Sequence, residues 1–195
     1  MSKTQLANRL IASKTGIDSH KLRSGWLDEE DLEKMAVEAT ELMNLDMIID
    51  DRSKTIQEIE ARATYLKETK NIGLVVVDYL QLLNSKNKKA IREQEVAEIS
   101  RKLKLLTKDL NIPLLALCQL NRESTKRTRP VLADLRESGS LEQDADNVFF
   151  LYADEEEKEK AIVETEVIVA KQRNGPVGTV KLKFHKKTMT FHNKQ

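Results

Sequence analysis

Polar residues follow two apolar segments of the chain, and both are of types that take part in phosphate and metal chemistry. Asp78 follows the apolar run Ile72–Val77, and Gln119 follows Pro113–Cys118. In open α/β sheets, ligands bind at the carboxyl ends of the strands. A carboxylate at the end of an apolar strand is typical of a Walker B motif, where it holds Mg²⁺ directly or through water. Each residue alone is also typical of a turn or cap, so neither identifies a site by itself.

A pair of cations precedes a predicted turn near the end of the chain. Lys171 and Arg173 are separated by one residue and are followed by Gly175 and Pro176. In extended backbone, residues at i and i+2 point to the same side, and Gly-Pro favours a turn. Rigidly placed cations of this kind can clamp a phosphate or act as an arginine finger. The alternative interpretation is an ordinary solvated strand end.

A segment of small and charged residues lies between the predicted strands. Residues 134–146 have the sequence DLRESGSLEQDAD, and a basic stretch precedes them over 122–129. Small residues, Arg and backbone N–H groups suit contact with phosphates. A flexible polar loop has the same composition, so the composition of this segment does not distinguish a phosphate-binding loop from an ordinary one.

Helical periodicity predicts four helices that must support these residues. The helix over 28–44 has Asp28 as its N-cap, and Thr55 with Glu58 forms a capping box that begins another. We also expect three methionines, Met35, Met43 and Met47, to lie in the core. The predicted helices lie at 3–12, at 28–44, from residue 55 onwards and at 93–110.

Apolar and β-branched runs predict the strands. The run Ile72–Val77 is continuously apolar, which is typical of a strand covered on both faces. Apolar residues alternate with Lys and His over 180–185, which predicts a half-exposed strand that pairs with Met189–Phe191 as a hairpin. Strands separated by long helices indicate crossovers and a mainly parallel sheet flanked by helices, an α/β fold. The other strands are predicted at Asp46–Asp50, Pro113–Cys118, Asp146–Tyr152 and Glu166–Ala170.

Composition excludes several classes of protein. The chain has 195 residues, of which 33% are charged and 39% hydrophobic, with a net charge of +1. This balance excludes a globally basic nucleic-acid binder but permits local basic faces. The single Cys118 excludes a disulfide framework and fits a reducing compartment. With no apolar run long enough to span a membrane and no secretory signal, we expect a cytoplasmic protein.

Taken together and in this order, the polar segments resemble the DnaB-type replicative DNA helicases. DLRESGSLEQDAD and KQRNGPVGT are the most specific of the matching segments. The likeness covers essentially all of residues 1–195 and corresponds to most of that family's C-terminal RecA-like motor domain. It divides into a helical region over 1–70 and a region over 71–195 from the Walker B strand to the arginine-finger hairpin. The other matching segments are DYLQLL at 78–83, QEV at 94–96, EISR at 98–101 and QLNR at 119–122.

The resemblance implies an ATP- and Mg²⁺-dependent motor. Members form a homohexamer that encircles single-stranded DNA, moves along it and unwinds the duplex, with nucleotides bound between subunits. By matching position, Asp78 would be the Walker B metal carboxylate, and Gln119 would be the sensor that couples the γ-phosphate to the DNA loops. Lys171 and Arg173 would act in trans on the neighbour's nucleotide.

The resemblance also assigns two segments to the central channel. Arg136, Glu137 and Gly139 would lie on the loop that grips the DNA backbone. The loop over 84–92 would face the same channel, with its basic residues Lys86, Lys88, Lys89 and Arg92.

The sequence departs from the family at the phosphate-binding loop. None of the six glycines is followed by Lys, so G-x-x-x-x-G-K-[ST] is absent, and Tyr79 follows Asp78 where many ATPases have a second acid. We therefore expect an incomplete, N-terminally truncated RecA-like P-loop NTPase fold. Alone it would lack ATPase activity, and an upstream polypeptide carrying the P-loop would complete it. The alternative is a non-enzymatic DNA- or subunit-binding module that assembles with an intact helicase. A RecA-like recombinase or clock-type ATPase would not explain DLRESGSLEQDAD or KQRNGP.

Overall fold

The computed structural model describes residues 2–83, 92–120 and 129–194, with the side chains of residues 92–93 and 136–139 left out of that description. The described chain forms two compact units. The first comprises Met1–Asp51, Leu151–Ile168 and Thr179–Gln195, and the second comprises Arg52–Phe150 and Val169–Gly178. All four residues predicted to act on nucleotide belong to the second unit.

Three helices begin the first unit: α1 (Lys3–Thr15), α2 (Ser19–Ser24) and α3 (Glu29–Met43). The predicted N-cap of α3 is confirmed, because the Asp28 side chain accepts a hydrogen bond from the Asp31 N–H. The assignment of Met43 and Met47 to the core is wrong, since they are 85% and 45% exposed. Periodicity identifies an apolar face of a helix, but it does not supply the element that would cover that face.

Two long helices provide the core of the second unit. They are α4 (Ile56–Lys70) and α5 (Arg92–Leu110), and the capping box of Thr55 and Glu58 at the start of α4 is confirmed. A third helix, α6 (Gly139–Asp144), follows the 3₁₀ helix Leu132–Ser138. Side chains from the two long helices pack with residues of the first strand and of the 3₁₀ turn Leu80–Leu82 that follows it. The buried members of this cluster are Ile56, Ala63, Val77, Leu80, Leu83, Ile99, Leu103 and Leu106.

A parallel pair of short strands lies against this cluster. Strands β1 (Val75–Val77) and β2 (Leu114–Ala116) pair with Val75 opposite Leu114 and Val77 opposite Ala116. Val77 is buried, whereas Val76 and its register partner Leu115 are 54% and 46% exposed. The prediction that this strand is covered on both faces is therefore wrong. Alternate side chains point to opposite faces, and the residues packed around Val77 cover one of them.

The remaining strands form a second, four-stranded sheet in the order β3-β4-β5-β6. The strands are β3 (Asn147–Tyr152), β4 (Ile162–Gln172), β5 (Gly178–His185) and β6 (Thr190–Asn193). A short helix, α7 (Glu155–Lys158), lies between β3 and β4. β5 and β6 pair antiparallel, with Phe184 opposite Phe191.

The α/β class is confirmed, but the prediction of one mainly parallel sheet is wrong. Parallel pairing joins β1 to β2, and an antiparallel pair occurs in a separate sheet. The predicted strand at Asp46–Asp50 is also wrong, because these residues are irregular and Met47 and Ile48 are exposed. A strand needs a neighbour for its backbone hydrogen bonds, and no sheet of the described residues includes this segment.

Among the described residues, no helix combines the length and the apolar composition needed to cross a membrane.

Candidate functional site

The parallel register places the segments that carry Asp78 and Gln119 side by side. Asp78 directly follows β1, and Gln119 lies three residues beyond the end of β2. The Leu117 N–H donates to the Val77 carbonyl at 2.9 Å, and the Leu80 N–H donates to the Leu117 carbonyl at 2.9 Å. The two chains thus remain hydrogen-bonded past the ends of the strands. Both Asp78 and Gln119 are exposed, so their side chains are available to a ligand.

Gln81 holds the backbone of Gln119 at two points. The Gln81 Nε2 donates to the Gln119 carbonyl at 2.8 Å, and the Gln119 N–H donates to Gln81 Oε1 at 3.2 Å. One side-chain amide thereby satisfies both polar backbone groups of a residue that lies beyond the ladder. The contact fixes the backbone of Gln119 and leaves its side chain in solvent.

The side chain of Lys171 reaches the last turn of helix α6. Its Nζ donates to the Glu142 carbonyl at 2.6 Å and to the Ala145 carbonyl at 2.7 Å. The last carbonyls of a helix lack partners within the helix, and cations there also interact favourably with the helix dipole. In this structure Lys171 therefore secures the C-terminal end of α6.

Arg173 is paired with Asp146, just beyond the same helix. Its Nη1 donates to Asp146 Oδ1 at 2.7 Å, and its backbone N–H donates to the Asp146 carbonyl at 2.9 Å. Lys104 on α5 donates to the second carboxylate oxygen of Asp146 at 2.5 Å. The hydrogen bond from Lys104, with the charges of Lys104 and Arg173, holds the pKa of Asp146 below its usual range.

The two predicted cations are thus brought to one segment. Both side chains, at alternate positions around the end of β4, bond to groups within 142–146. The prediction from the sequence did not give roles to Gln81, Lys104 or Asp146. Gln81 and Asp146 lie inside the matching segments DYLQLL and DLRESGSLEQDAD, and this position could have pointed to a role for them. Nothing in the sequence distinguishes Lys104 from other polar residues of a helix.

The residues predicted to contact DNA are described less fully. Arg136 and Glu137 belong to the 3₁₀ helix Leu132–Ser138. Gly139 is the first residue of α6 (Gly139–Asp144), and Arg92 is the first described residue of α5 (Arg92–Leu110). The side chains of all four positions fall outside the description. Lys86, Lys88 and Lys89 lie outside the described residues altogether.

The donor set around Asp78 fits Mg²⁺ better than a metal held entirely by protein. Within 2–83, 92–120 and 129–194, no three His, Cys, Asp or Glu side chains converge on one point. Mg²⁺ commonly keeps several waters and binds one or two carboxylates together with substrate phosphates. A single exposed carboxylate at a strand end suits that mode of binding.

Comparison with known families gives a match over nearly the whole chain. The model of the DnaB-like helicase C-terminal domain matches residues 1–193. The replicative DNA helicase DnaB of Geobacillus stearothermophilus is 44% identical over 99% of this chain and 44% of its own length. The replicative DNA helicase DnaC of Bacillus subtilis (strain 168) is 43% identical over the same shares. The chain therefore spans less than half the length of these curated relatives.

Solved structures share the fold closely. A solved ATPase domain superposes with a TM-score of 0.90 at 38% identity, over all of this chain and 72% of the other. A DnaB-like replicative helicase, solved in a study of its interactions with primase, superposes with a TM-score of 0.91 at 37% identity. That match covers all of this chain and 49% of the helicase. The fold is therefore that of helicase ATPase domains.

Proposed function

We propose, since the chain belongs to the family of DnaB-like helicase C-terminal domains, that it supplies part of the motor of a replicative DNA helicase. Such a motor uses ATP to move along single-stranded DNA as a hexamer and to unwind the duplex. The observation that carries the proposal is the parallel register of β1 and β2, which sets Asp78 and Gln119 on hydrogen-bonded neighbouring segments. The division into a helical region over 1–70 and a motor region over 71–195 is part of this proposal.

Asp78 and Gln119 would face the nucleotide held by the chain's own side of the site. Asp78 would hold the Mg²⁺ of MgATP, which supplies charge neutralisation on the phosphates. Gln119, with its backbone fixed by Gln81, would present its side-chain amide to the γ-phosphate and sense its loss. Phosphoryl transfer depends mainly on positioning and electrostatics, so an exposed side chain on a fixed backbone suits this role.

Lys171 and Arg173 would serve the nucleotide of a neighbouring subunit. The Arg173 side chain is 62% exposed although it is paired with Asp146. A guanidinium that is held from one side and open on the other can contact a phosphate presented from outside the chain. Lys171 would stabilise the same phosphates by exchanging one of its carbonyl partners for phosphate oxygen.

Single-stranded DNA would lie against the two predicted channel segments. These are the segment with Arg136, Glu137 and Gly139, and the basic loop with Lys86, Lys88, Lys89 and Arg92. Contacts of Lys and Arg with the DNA backbone do not depend on base sequence and weaken steeply with salt. The chain should therefore bind single strands of different sequence similarly.

A second candidate function follows from the missing phosphate-binding loop. Because G-x-x-x-x-G-K-[ST] is absent from the sequence, the chain alone would bind DNA or helicase subunits without hydrolysing ATP. It would then offer Lys171 and Arg173 to an intact helicase. In the first candidate an upstream polypeptide carrying the phosphate-binding loop completes the site of this chain, whereas in the second the chain stays non-enzymatic.

The testing experiment measures ATP turnover with and without single-stranded DNA in two samples. One is the chain alone, and the other is the chain joined to the upstream half of the Geobacillus stearothermophilus relative. We expect no turnover above an Asp78→Ala control for the chain alone, and DNA-stimulated turnover, abolished by Asp78→Ala, for the joined protein. The DNA-stimulated turnover should also fall as salt rises. A joined protein that folds and binds DNA but stays inactive with Asp78 intact would contradict the motor proposal.

Mixing separates the second candidate from the first. If the chain assembles with an intact helicase, adding it should lower the ATP turnover of the ring. The matched control is the chain with Lys171→Ala and Arg173→Ala, which should assemble equally but inhibit more strongly. Turnover that is unaffected by any amount of added chain would contradict the role as an assembling module.

A further inference from the structure

We propose that Asp146 is a positioning residue that fixes the finger Arg173 to helix α5 through Lys104. The inference rests on the proposed function, because it concerns the placement of a group that acts on a neighbouring subunit's nucleotide. The family motifs identify a cation at 173, and the structure shows what holds it.

Asp146 holds Arg173 at both ends. The backbone N–H of Arg173 donates to the Asp146 carbonyl at 2.9 Å, and Nη1 donates to Oδ1 at 2.7 Å. A long side chain loses rotamer entropy when it is ordered at the moment of reaction. A guanidinium that is already held by a carboxylate has lost much of that freedom beforehand, so it reaches a phosphate from a defined direction.

Helix α5 holds the segment around Asp146 at two points. Lys104 Nζ donates to Asp146 Oδ2 at 2.5 Å, and Ser100 Oγ donates to Asp144 Oδ2 at 2.6 Å. Ser100 and Lys104 are four residues apart and therefore lie on one face of the helix. Of the two acidic residues, Asp146 is the one bonded to Arg173. The contact of Ser100 with Asp144 thus provides a control that is similar in place and chemistry.

Exposure increases along the chain of contacts from the helix outward. The side chains of Lys104, Asp146 and Arg173 are 25%, 46% and 62% exposed. Ion pairs this exposed contribute little to folding stability. Their effect is to orient Arg173. Lys104 on helix α5 anchors Asp146, and Asp146 holds the guanidinium of Arg173 at the surface.

Lys104 also sets the charge of the cluster. Asp146 and Arg173 alone would form a neutral pair, whereas two cations on one carboxylate leave one net positive charge. The cluster therefore still attracts phosphate while the guanidinium is held. Lys104 and Arg173 lower the pKa of Asp146, so Asp146 is a carboxylate at neutral pH.

The test uses the joined protein of the ATP-turnover experiment, in which the chain is fused to the upstream half of the Geobacillus stearothermophilus relative. Arg173→Ala should lower kcat by roughly a thousandfold or more, as for other arginine fingers. Asp146→Asn should lower kcat by roughly tenfold to a hundredfold through misplacement of Arg173, with KM little changed. Ser100→Ala should lower kcat much less than Asp146→Asn, because Asp144 does not contact Arg173. Asp146→Asn combined with Arg173→Ala should be no worse than Arg173→Ala alone, because both changes remove the same contribution.

A second readout is independent of activity. Carboxyl ¹³C NMR of the chain alone should show the pKa of Asp146 below its usual range, and Lys104→Met should raise it toward that range. A pKa of Asp146 that does not respond to Lys104→Met would overturn the proposal. Unchanged kcat in Asp146→Asn, with Arg173→Ala inactive, would overturn this inference alone. Unchanged kcat in Arg173→Ala would overturn both it and the proposed role of the finger.

Discussion

The amide of Gln81 does for Gln119 what a neighbouring strand does inside a sheet, because it donates to the carbonyl and accepts from the N–H of the same residue. The two residues are 38 positions apart in sequence. Asp78 and Gln119 could be predicted from the chain alone, since each follows an apolar run. Gln81 could not, because its partner is decided by the register of β1 against β2.

Replacing Gln81 should release the amide proton of Gln119. Gln81→Ala removes the acceptor, and we expect hydrogen exchange at Gln119 to accelerate roughly twofold to tenfold, the equivalent of one net hydrogen bond. Exchange measured by NMR reads this amide directly.

Gln81→Glu is the matched control for that experiment. It keeps an acceptor for the Gln119 N–H and replaces the donor to the carbonyl with a carboxylate oxygen. Exchange at Gln119 should therefore accelerate less than in Gln81→Ala. If Gln81→Ala left the exchange rate unchanged, the hydrogen bond would not hold the loop in solution.

Helix ends were the most predictable elements of the fold. The caps at Asp28 and Thr55 are local, since each depends on residues within three positions. Strands were less predictable, because their lengths depend on distant partners. The strand predicted at Glu166–Ala170 extends over Ile162–Gln172, while the one predicted at Asp46–Asp50 is absent. Strand β4 continues through Glu164, whose carboxylate binds Lys181 at 2.9 Å and Lys194 at 2.6 Å.

Glu164 should make stability depend on pH in the acid range. Hydrogen bonds from Lys194 and Lys181 lower its pKa to about 2. A lowered pKa stabilises the fold above the pKa of the unfolded chain, and this stabilisation is lost as pH falls toward 2. Thermal unfolding between pH 7 and pH 2.5 should therefore show a smaller loss of Tm in Glu164→Gln than in the wild type.

The control for Glu164 is another carboxylate of the same unit. Glu159 is exposed and lies outside the Glu164 network. Glu159→Gln should lose Tm on acidification as steeply as the wild type. An equal slope for Glu164→Gln and the wild type would show that the pairs with Lys181 and Lys194 are not formed in solution.

At the scale of the whole molecule, the α/β class followed from alternating helices and strands, but the extent of burial did not. The run at Ile72–Val77 is apolar throughout, yet Val76 and Leu115 are half exposed on one face of the parallel pair. Apolar character shows that a residue can be buried, whereas burial itself requires a covering element. Contiguous exposed apolar groups are unusual on soluble proteins, while single ones are ordinary.

This face should bind a hydrophobic dye. The chain should enhance the fluorescence of 1-anilinonaphthalene-8-sulfonate, and Val76→Thr with Leu115→Thr should reduce the enhancement, since Thr retains strand propensity but adds a hydroxyl. Val180→Thr on β5, where the Val is 56% exposed, should change it less. Equal signals from the wild type and the double variant, both folded by circular dichroism, would show that the dye binds elsewhere.

Helix α5 (Arg92–Leu110) carries Lys104 twelve residues after Arg92. These positions are about 18 Å and about three and a third turns apart along the axis. A helix fixes phase as well as distance, because each added or deleted residue rotates one end against the other by about 100°. Lys104 would then leave the face that meets Asp146. Natural length variation between these two positions should therefore occur in steps of about three to four residues, which restore the phase.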